Sequence, residues 1–188
     1  MRPVTLTTER LELSVPTEAD VDAIFAACQD PTLQRYTTVP SPYERQHAEG
    51  FIGYAATRWQ DDLEATWAIR EGDALVGMIG LNGITPAGAG EIGYWMAAPH
   101  RGRGLITEAA RAVVDWGLGA RGAALARMEW RAVAGNTGSA SVARKLGFRY
   151  EGLLRRAAAN SFGRDDAWIA GLLPADDRMP QPWPVLGG

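Results

Sequence analysis

The stretch His100-Arg101-Gly102-Arg103-Gly104-Leu105 alternates two arginines with two glycines in a chain whose formal net charge is −3. Glycines let a backbone approach a ligand closely, and guanidiniums donate charge-assisted hydrogen bonds to phosphate oxygens. A helix opening at Leu105 would add unpaired N–H groups and the positive end of its dipole. The chemistry on offer is anion binding, although six residues alone are equally compatible with a solvated basic loop.

Other groups could do proton chemistry. Asn136, Thr137 and Ser139 stand at the head of a short helix, where Asn136 or Thr137 reads as the N-cap and Ser139 as a first-turn residue. Glu91 opens the strand leading into the arginine loop, and it is a surface carboxylate or a base acting through water. On that strand Tyr94 and Trp95 point to opposite faces, so one meets the cleft and the other the core. His47, His100 and the late-helix pair Arg144 and Lys145 are weaker candidates. Cys28 lies on an apolar helical stripe and reads as a small core residue, not a nucleophile.

Periodicity supplies the elements that must position these groups. Leu11, Leu13 and Val15 alternate as a strand, and Val21, Ile24, Phe25 and Cys28 follow at helical spacing. Ser41-Pro42-Tyr43-Glu44 combines an N-cap, a proline at N1 and a capping-box glutamate, which predicts a second helix from Pro42 to about Trp59. Glu64 to Arg70, Leu75 to Ile84 and Glu91 to Ala97 read as an antiparallel meander. A helix from Leu105 to Leu118 and a strand from Arg127 to Val133 then form a right-handed crossover, with the arginine loop at the carboxyl end of its first strand. A short helix from Thr137 to Leu146 and two strands, Phe148 to Ala157 and Ala167 to Leu173, complete the pattern. The tail, residues 175–188, reads as irregular surface chain after one domain over residues 1–174.

Composition narrows the function classes. Hydrophobic residues make up 46% and charged residues 22% of 188, which is ordinary globular chemistry. The acidic balance gives no general attraction to nucleic acid, and no basic patch with interleaved aromatics appears. No stretch reaches the roughly 18 apolar residues of a membrane span, and no apolar leader segment is seen, so a cytoplasmic protein without a membrane partner is expected. One cysteine and two distant histidines offer no disulfide and no metal-ligand cluster. Two segments spell GxGxxG, Gly88 to Gly93 and Gly117 to Gly122, but the first leads into a strand and the second ends a helix. A dinucleotide fingerprint needs a strand before it and a helix after it, so both are rejected.

With its flanks, the loop carries a resemblance. Glu91-Ile92-Gly93-Tyr94-Trp95-Met96 followed by Pro99 to Ala109 resembles the acetyl-CoA motif of the GNAT acetyltransferases, Q/R-x-x-G-x-G/A. Arg101 and Gly104 match it, while Ile106 stands where glycine or alanine is commonest. Asn136-Thr137-Gly138-Ser139 through Leu146-Gly147-Phe148 is similar to the N-x-x-S…GF motif of the ribosomal-protein N-terminal acetyltransferase branch, the RimJ/RimL-like enzymes. Gly163 to Trp168 is similar to that branch's last hairpin.

The resemblance implies an α/β (α+β) GNAT fold, a mixed and mostly antiparallel sheet of about seven strands with about four helices. Its fourth and fifth strands would splay apart to admit the pantetheine arm of acetyl-CoA, with no metal involved. The anion would be the coenzyme's pyrophosphate, held by the N–H groups of Gly102, Arg103, Gly104, Ile106 and Thr107, with Arg101 and Leu105 in the same loop. Trp95, Met96, Asn136 and Ser139 would meet the rest of the cofactor. The N–H of Met96 or its neighbour would stabilise the oxyanion, Ser139 would protonate the thiolate, and Glu91 is the candidate base.

The expected reaction is direct transfer of acetyl to a primary amine. A protein or peptide N-terminal α-amine is favoured, because its ordinary pKa near 7.7–8.0 leaves it partly neutral, unlike lysine near 10.4. The alternatives are a small-molecule amine (an aminoglycoside, polyamine or amino-acid derivative) and a non-catalytic acyl-CoA-binding module. A homodimer is compatible with the resemblance, and an exposed Trp183 in the tail would be a natural contributor.

Overall fold

The central strands of the chain are apolar on both faces, which requires cover on both faces. A computed structural model, describing residues 1–187, provides that cover. The strands are β1 (Leu6–Thr7), β2 (Glu12–Ser14), β3 (Ala65–Glu71), β4 (Ala74–Asn82), β5 (Ala89–Met96), β6 (Arg127–Val133), β7 (Arg149–Asn160) and β8 (Gly163–Leu172). The helices are α1 (Val21–Ala27), α2 (Pro31–Tyr36), α3 (Arg45–Gln60), α4 (Leu105–Leu118) and α5 (Thr137–Lys145). One eight-stranded sheet runs in the order β1-β2-β3-β4-β5-β6-β8-β7.

Every neighbouring pair is antiparallel except β5–β6. That parallel pair is joined only from Ala89↔Arg127 to Ile92↔Trp130. Beyond it, β5 stays paired to β4 as far as Gly77↔Met96, and β6 stays paired to β8 as far as Val133↔Ala167. The two strands therefore diverge, leaving a gap between Gly93–Met96 and Arg131–Val133.

One core packs α4 against the sheet through Leu105, Ala109, Ala110, Val113 and Val114, the predicted stripe. Gly117 completes it, because a Cβ there would lie 2.5 Å from Met128 Cε and 2.9 Å from Leu81 Cδ1. Close helix–sheet approach explains this glycine. On the other face α1 and α3 pack over Ala68 and Met78. Each fully buried aliphatic side chain contributes about 1.5–3 kcal/mol relative to exposure.

The expected meander, α4, β6 and α5 are found with bounds within about two residues of the sequence reading. The expected mixed sheet of about seven strands with about four helices is found, as eight strands and five helices among the described residues. Three expectations are corrected. The diverging strands are the fifth and sixth, not the fourth and fifth. Strand β1 pairs only at Leu6↔Leu13 and Thr7↔Glu12, too short to leave an alternation in the sequence. Helix α2 was unread, although Asp30 accepts from the Thr32 N–H at 2.8 Å and Pro31 stands at N1.

Second, α3 starts at Arg45, three positions after the expected Pro42. Ser41 turns its hydroxyl to Gln34 Oε1 at 2.8 Å, while the Glu44 N–H donates to His47 Nδ1 at 3.0 Å. The capping frame has slid to Glu44 and His47. Third, Trp183 is fully buried and unavailable to a partner surface. Its indole N–H donates to the Phe148 carbonyl at 3.0 Å, and its ring lies 5.3 Å from Trp130 and 5.6 Å from Tyr150.

Candidate active site

At the end of β5 the chain makes a short turn over Ala98–His100 and reaches the arginine loop. Gly102 and Gly104 take φ of 74° and 79°, a region that strains any residue with a Cβ. Gly104 is the N-cap of α4. The N–H groups from Gly102 to Thr107 have no hydrogen-bond acceptor among the described residues. Open donors at the N-terminus of a 14-residue helix are the donor set an anionic diphosphate needs.

The side chains of the loop serve a different purpose. Arg101 Nε donates to the Met96 carbonyl at 2.9 Å, and its Nη2 pairs with Asp30 at 2.5 Å. Arg103 makes a two-pronged pair with Glu71 at 2.7 and 2.8 Å, which holds that carboxyl low. Both guanidiniums are engaged within the protein, and Arg103 lies outside the cleft.

That cleft, about 550 Å³, is lined by Trp95, Met96, Arg101, Gly102, Gly104, Leu105, Ile106 and Thr107 on one side. Asn136, Ser139, Ser141 and Lys145 line the other, so Lys145, the only lysine, is at hand and Arg144 is not. Strand alternation orients the backbone within the gap. The Ala97 N–H donates to Val76 O on β4 at 2.9 Å, so the Met96 N–H, one residue earlier, points away from β4 into the gap.

Ser139 sits at the meeting point. Asn136 Oδ1 accepts from the Ser139 N–H at 3.2 Å, so Asn136 caps α5 and the serine hydroxyl is left for other work. Trp130 Nε1 donates to Ser139 Oγ at 3.0 Å, and Ser139 Oγ is 3.2 Å from the Tyr94 hydroxyl. Tyr94 donates to the Ser139 carbonyl at 3.0 Å. Burial pushes the Tyr94 hydroxyl far up, against the opposing bonds from Ser139 and Trp130.

A second cleft of about 520 Å³ opens on the opposite side of the gap. Tyr36, Thr37, Thr38 and Val39 form one wall, and Phe51 and Tyr54 of α3 another. The β7–β8 hairpin braces the first wall: Arg35 pairs with Asp165 at 2.6 and 3.0 Å, and Ser161 Oγ donates to Val39 O at 3.1 Å. The floor is the register pair Gly80↔Gly93. A Cβ at Gly93 would come 3.0 Å from Asn82 Nδ2, so a larger residue there would shift the Asn82 amide. The two clefts share Tyr36, Thr37, Tyr94, Trp95, Asn136 and Ser139, and join at those residues.

Glu91 lines the second cleft, half-buried. Burial raises its carboxyl above the ordinary range; Arg131 opposes this and Glu129 adds to it. Arg131 lies 3.7 Å from Glu91 and 2.7 Å from Glu129, so its charge is committed mainly to Glu129. His100 lines the first cleft beside Arg103, while His47 lines neither. Cys28 is 1% exposed, and burial pushes its thiol up to about 11 despite a bond from Tyr43. It takes no part in either cleft. No group of three or more His, Cys, Asp or Glu side chains gathers for a metal among the described residues.

The sequence reading missed Trp130 as a donor and the wall formed by Tyr36 and Thr37. Only the second had a local signal, the Asp30-Pro31 cap that announces α2.

A diverging parallel strand pair, an open-donor loop leading into α4, and two clefts meeting at Ser139 define an acyltransferase of the acetyl-CoA-dependent type. Residues 10–149 match the acetyltransferase (GNAT) domain family. The chain belongs to that family and is an N-acetyltransferase with acetyl-CoA as its co-substrate. It is 30% identical over 154 residues to the uncharacterized N-acetyltransferase YoaA of Bacillus subtilis, covering 80% of this chain and 86% of that protein. It is 35% identical over 95 residues to the ribosomal-protein-serine acetyltransferase of Escherichia coli, covering 50% and 52% of the two chains. RimJ of Mycobacterium smegmatis, solved with a coenzyme A disulfide, shares the fold with a TM-score of 0.83 at 20% identity, covering 92% of this chain and 90% of that one.

Proposed function

We propose that the chain acetylates the N-terminal α-amine of a protein or peptide, in the cytoplasm, by direct attack within a ternary complex. The observation that carries this reading is the junction of the two clefts at Tyr94 and Ser139, with cofactor donors on one side and a glycine-floored trough on the other. In this reading the N–H groups from Gly102 to Thr107 hold the pyrophosphate, Asn136 and Trp95 flank the pantetheine arm, and the Met96 N–H faces the developing oxyanion. The hydroxyl pair of Ser139 and Tyr94 is the source of the proton for the departing sulfur. Glu91 takes the proton lost by the amine through water.

The α-amine is favoured over a lysine side chain because the site offers one weak, partly screened base. An amine near 7.7–8.0 needs little more, whereas one near 10.4 does. The likeness to a ribosomal-protein-serine acetyltransferase supports the same class of acceptor. We also read residues 1–174 as one catalytic domain and residues 175–188 as a tail to it, of which Trp183 packs into the core.

The test is thiol release from acetyl-CoA with three acceptors: a serine-initiated peptide with a free α-amine, the same peptide α-blocked but carrying a free lysine, and a set of small amines and polyamines. Transfer confined to the free α-amine supports the proposal. Transfer confined to the small amines replaces it with a small-molecule acetyltransferase.

A further inference from the structure

Donor and acceptor chemistry fixes the direction of every hydrogen bond around Ser139. An indole N–H only donates, so Trp130 makes Ser139 Oγ an acceptor at 3.0 Å. A carbonyl only accepts, so the single hydroxyl proton of Tyr94 is directed to the Ser139 carbonyl at 3.0 Å. The remaining contact, 3.2 Å between Ser139 Oγ and the Tyr94 oxygen, must then be donated by the serine. The circuit runs from Trp130 to Ser139 Oγ, on to Tyr94, and back to the Ser139 backbone.

The two hydroxyls are therefore not equivalent. Negative charge on the Tyr94 oxygen would be met by a serine O–H that is itself polarised by the indole, and such chains strengthen cooperatively. Charge on Ser139 Oγ would be met by the indole alone. In the same surroundings a phenol also gives up its proton more readily than an aliphatic alcohol, because its ring delocalises the charge. Trp183 keeps the indole in place from outside residues 10–149, packing 5.3 Å from Trp130 with its own N–H anchored on Phe148.

We infer that Tyr94 is the group that protonates the departing sulfur, and that Ser139 and Trp130 are positioning residues that stabilise its phenolate. The inference rests on the acetyl-transfer reading and names which hydroxyl acts. As the amine nitrogen bonds to the acetyl carbon, the carbon–sulfur bond breaks with its electron pair going to sulfur. Tyr94 turns its proton from the Ser139 carbonyl to that sulfur. The proton leaving nitrogen passes through water to Glu91, and solvent exchange returns one proton to Tyr94, so the sum is amine plus thioester giving amide plus thiol. Burial keeps the phenol protonated until that moment.

The experiment compares Tyr94→Phe with Ser139→Ala, measuring kcat with the free-amine peptide, coenzyme A affinity, and the Trp130 indole N–H resonance. Tyr94→Phe deletes one oxygen and should lower kcat by about 100-fold or more, the size of a general-acid contribution, with coenzyme A affinity within about threefold. Ser139→Ala should lower kcat by about tenfold and shift the Trp130 indole N–H resonance upfield as its acceptor is lost, with the other indole resonances left in place, whereas loss of packing would move them together. A wild-type level of kcat in Tyr94→Phe, or a larger loss in Ser139→Ala than in Tyr94→Phe, overturns the inference while leaving the acetyl-transfer reading intact. A wild-type chain that binds coenzyme A and transfers to no amine overturns both.

Discussion

Trp183 of the tail and Trp130 of β6 lie 5.3 Å apart with their rings tilted by 57°, joining the last residues of the chain to the strand that borders the cofactor cleft. Trp183, with Val185 and Leu186 packed beside it, is thereby part of the core, although it lies beyond the residues that match the family. Trp183→Ala should destabilise the fold by about 3–5 kcal/mol, the range for deleting a buried aromatic. Denaturant unfolding checks it; a loss under about 1 kcal/mol would mean that the indole is not held in the core.

A pH profile tests Glu91. Its carboxyl is raised by burial, so the deprotonated form required of a base appears at a higher pH than for an ordinary glutamate, and activity rises as pH climbs through that value. Below it, log kcat/KM should climb with slope two, one for Glu91 and one for the α-amine, then with slope one up to the α-amine value near 7.7–8.0, where it levels off. Glu91→Gln should show slope one alone below the α-amine value. Arg131→Gln removes the cation that opposes the rise, so the break should move to still higher pH. An unmoved break would separate Arg131 from the titrating group.

The loop invites a comparison of backbone with side chain. Gly104→Ala places a Cβ at φ 79°, a strain of about 1–2 kcal/mol, and should weaken coenzyme A binding roughly tenfold as the loop relaxes. Arg103→Ala removes a guanidinium that faces Glu71 outside the cleft, and should weaken binding less than about fivefold. Titration calorimetry reads both, and the reverse order would show Arg103 leaving Glu71 for the ligand.

Asp20 and Arg70 form a second test, of stability. Asp20 accepts from Arg70 at 2.7 and 2.8 Å and from the Thr17 N–H at 2.7 Å. Burial works against its charge, but these bonds prevail and hold the carboxyl below its ordinary 3.8. A lowered folded value stabilises above the unfolded pKa and loses that contribution as pH falls through the folded one. Asp20→Asn should cost about 1.5–3 kcal/mol at neutral pH, the worth of a hydrogen bond to a charged group, and the part of that loss carried by the charge should fade as pH falls below the ordinary 3.8. Urea midpoints at both pH values measure it.

The sequence by itself determined what depends on near neighbours. The apolar spacing from Leu105 to Leu118, the strand from Arg127 to Val133 and the helix opening at Thr137 are local, and all three appear where their residues demand them, with Asn136 as the cap. The glycines that open the loop were legible for the same reason, since φ is a property of one residue. Only tertiary structure decided the partners. Arg103 meets Glu71 from 32 positions away, Tyr94 meets Ser139 from 45, and Trp183 meets Phe148 from 35. No periodicity carries such pairings, because which side chains meet across a sheet depends on strand order and register. Where β6 leaves β5 after Ile92 is likewise a matter of the neighbours β4 and β8, each holding its own strand to the end.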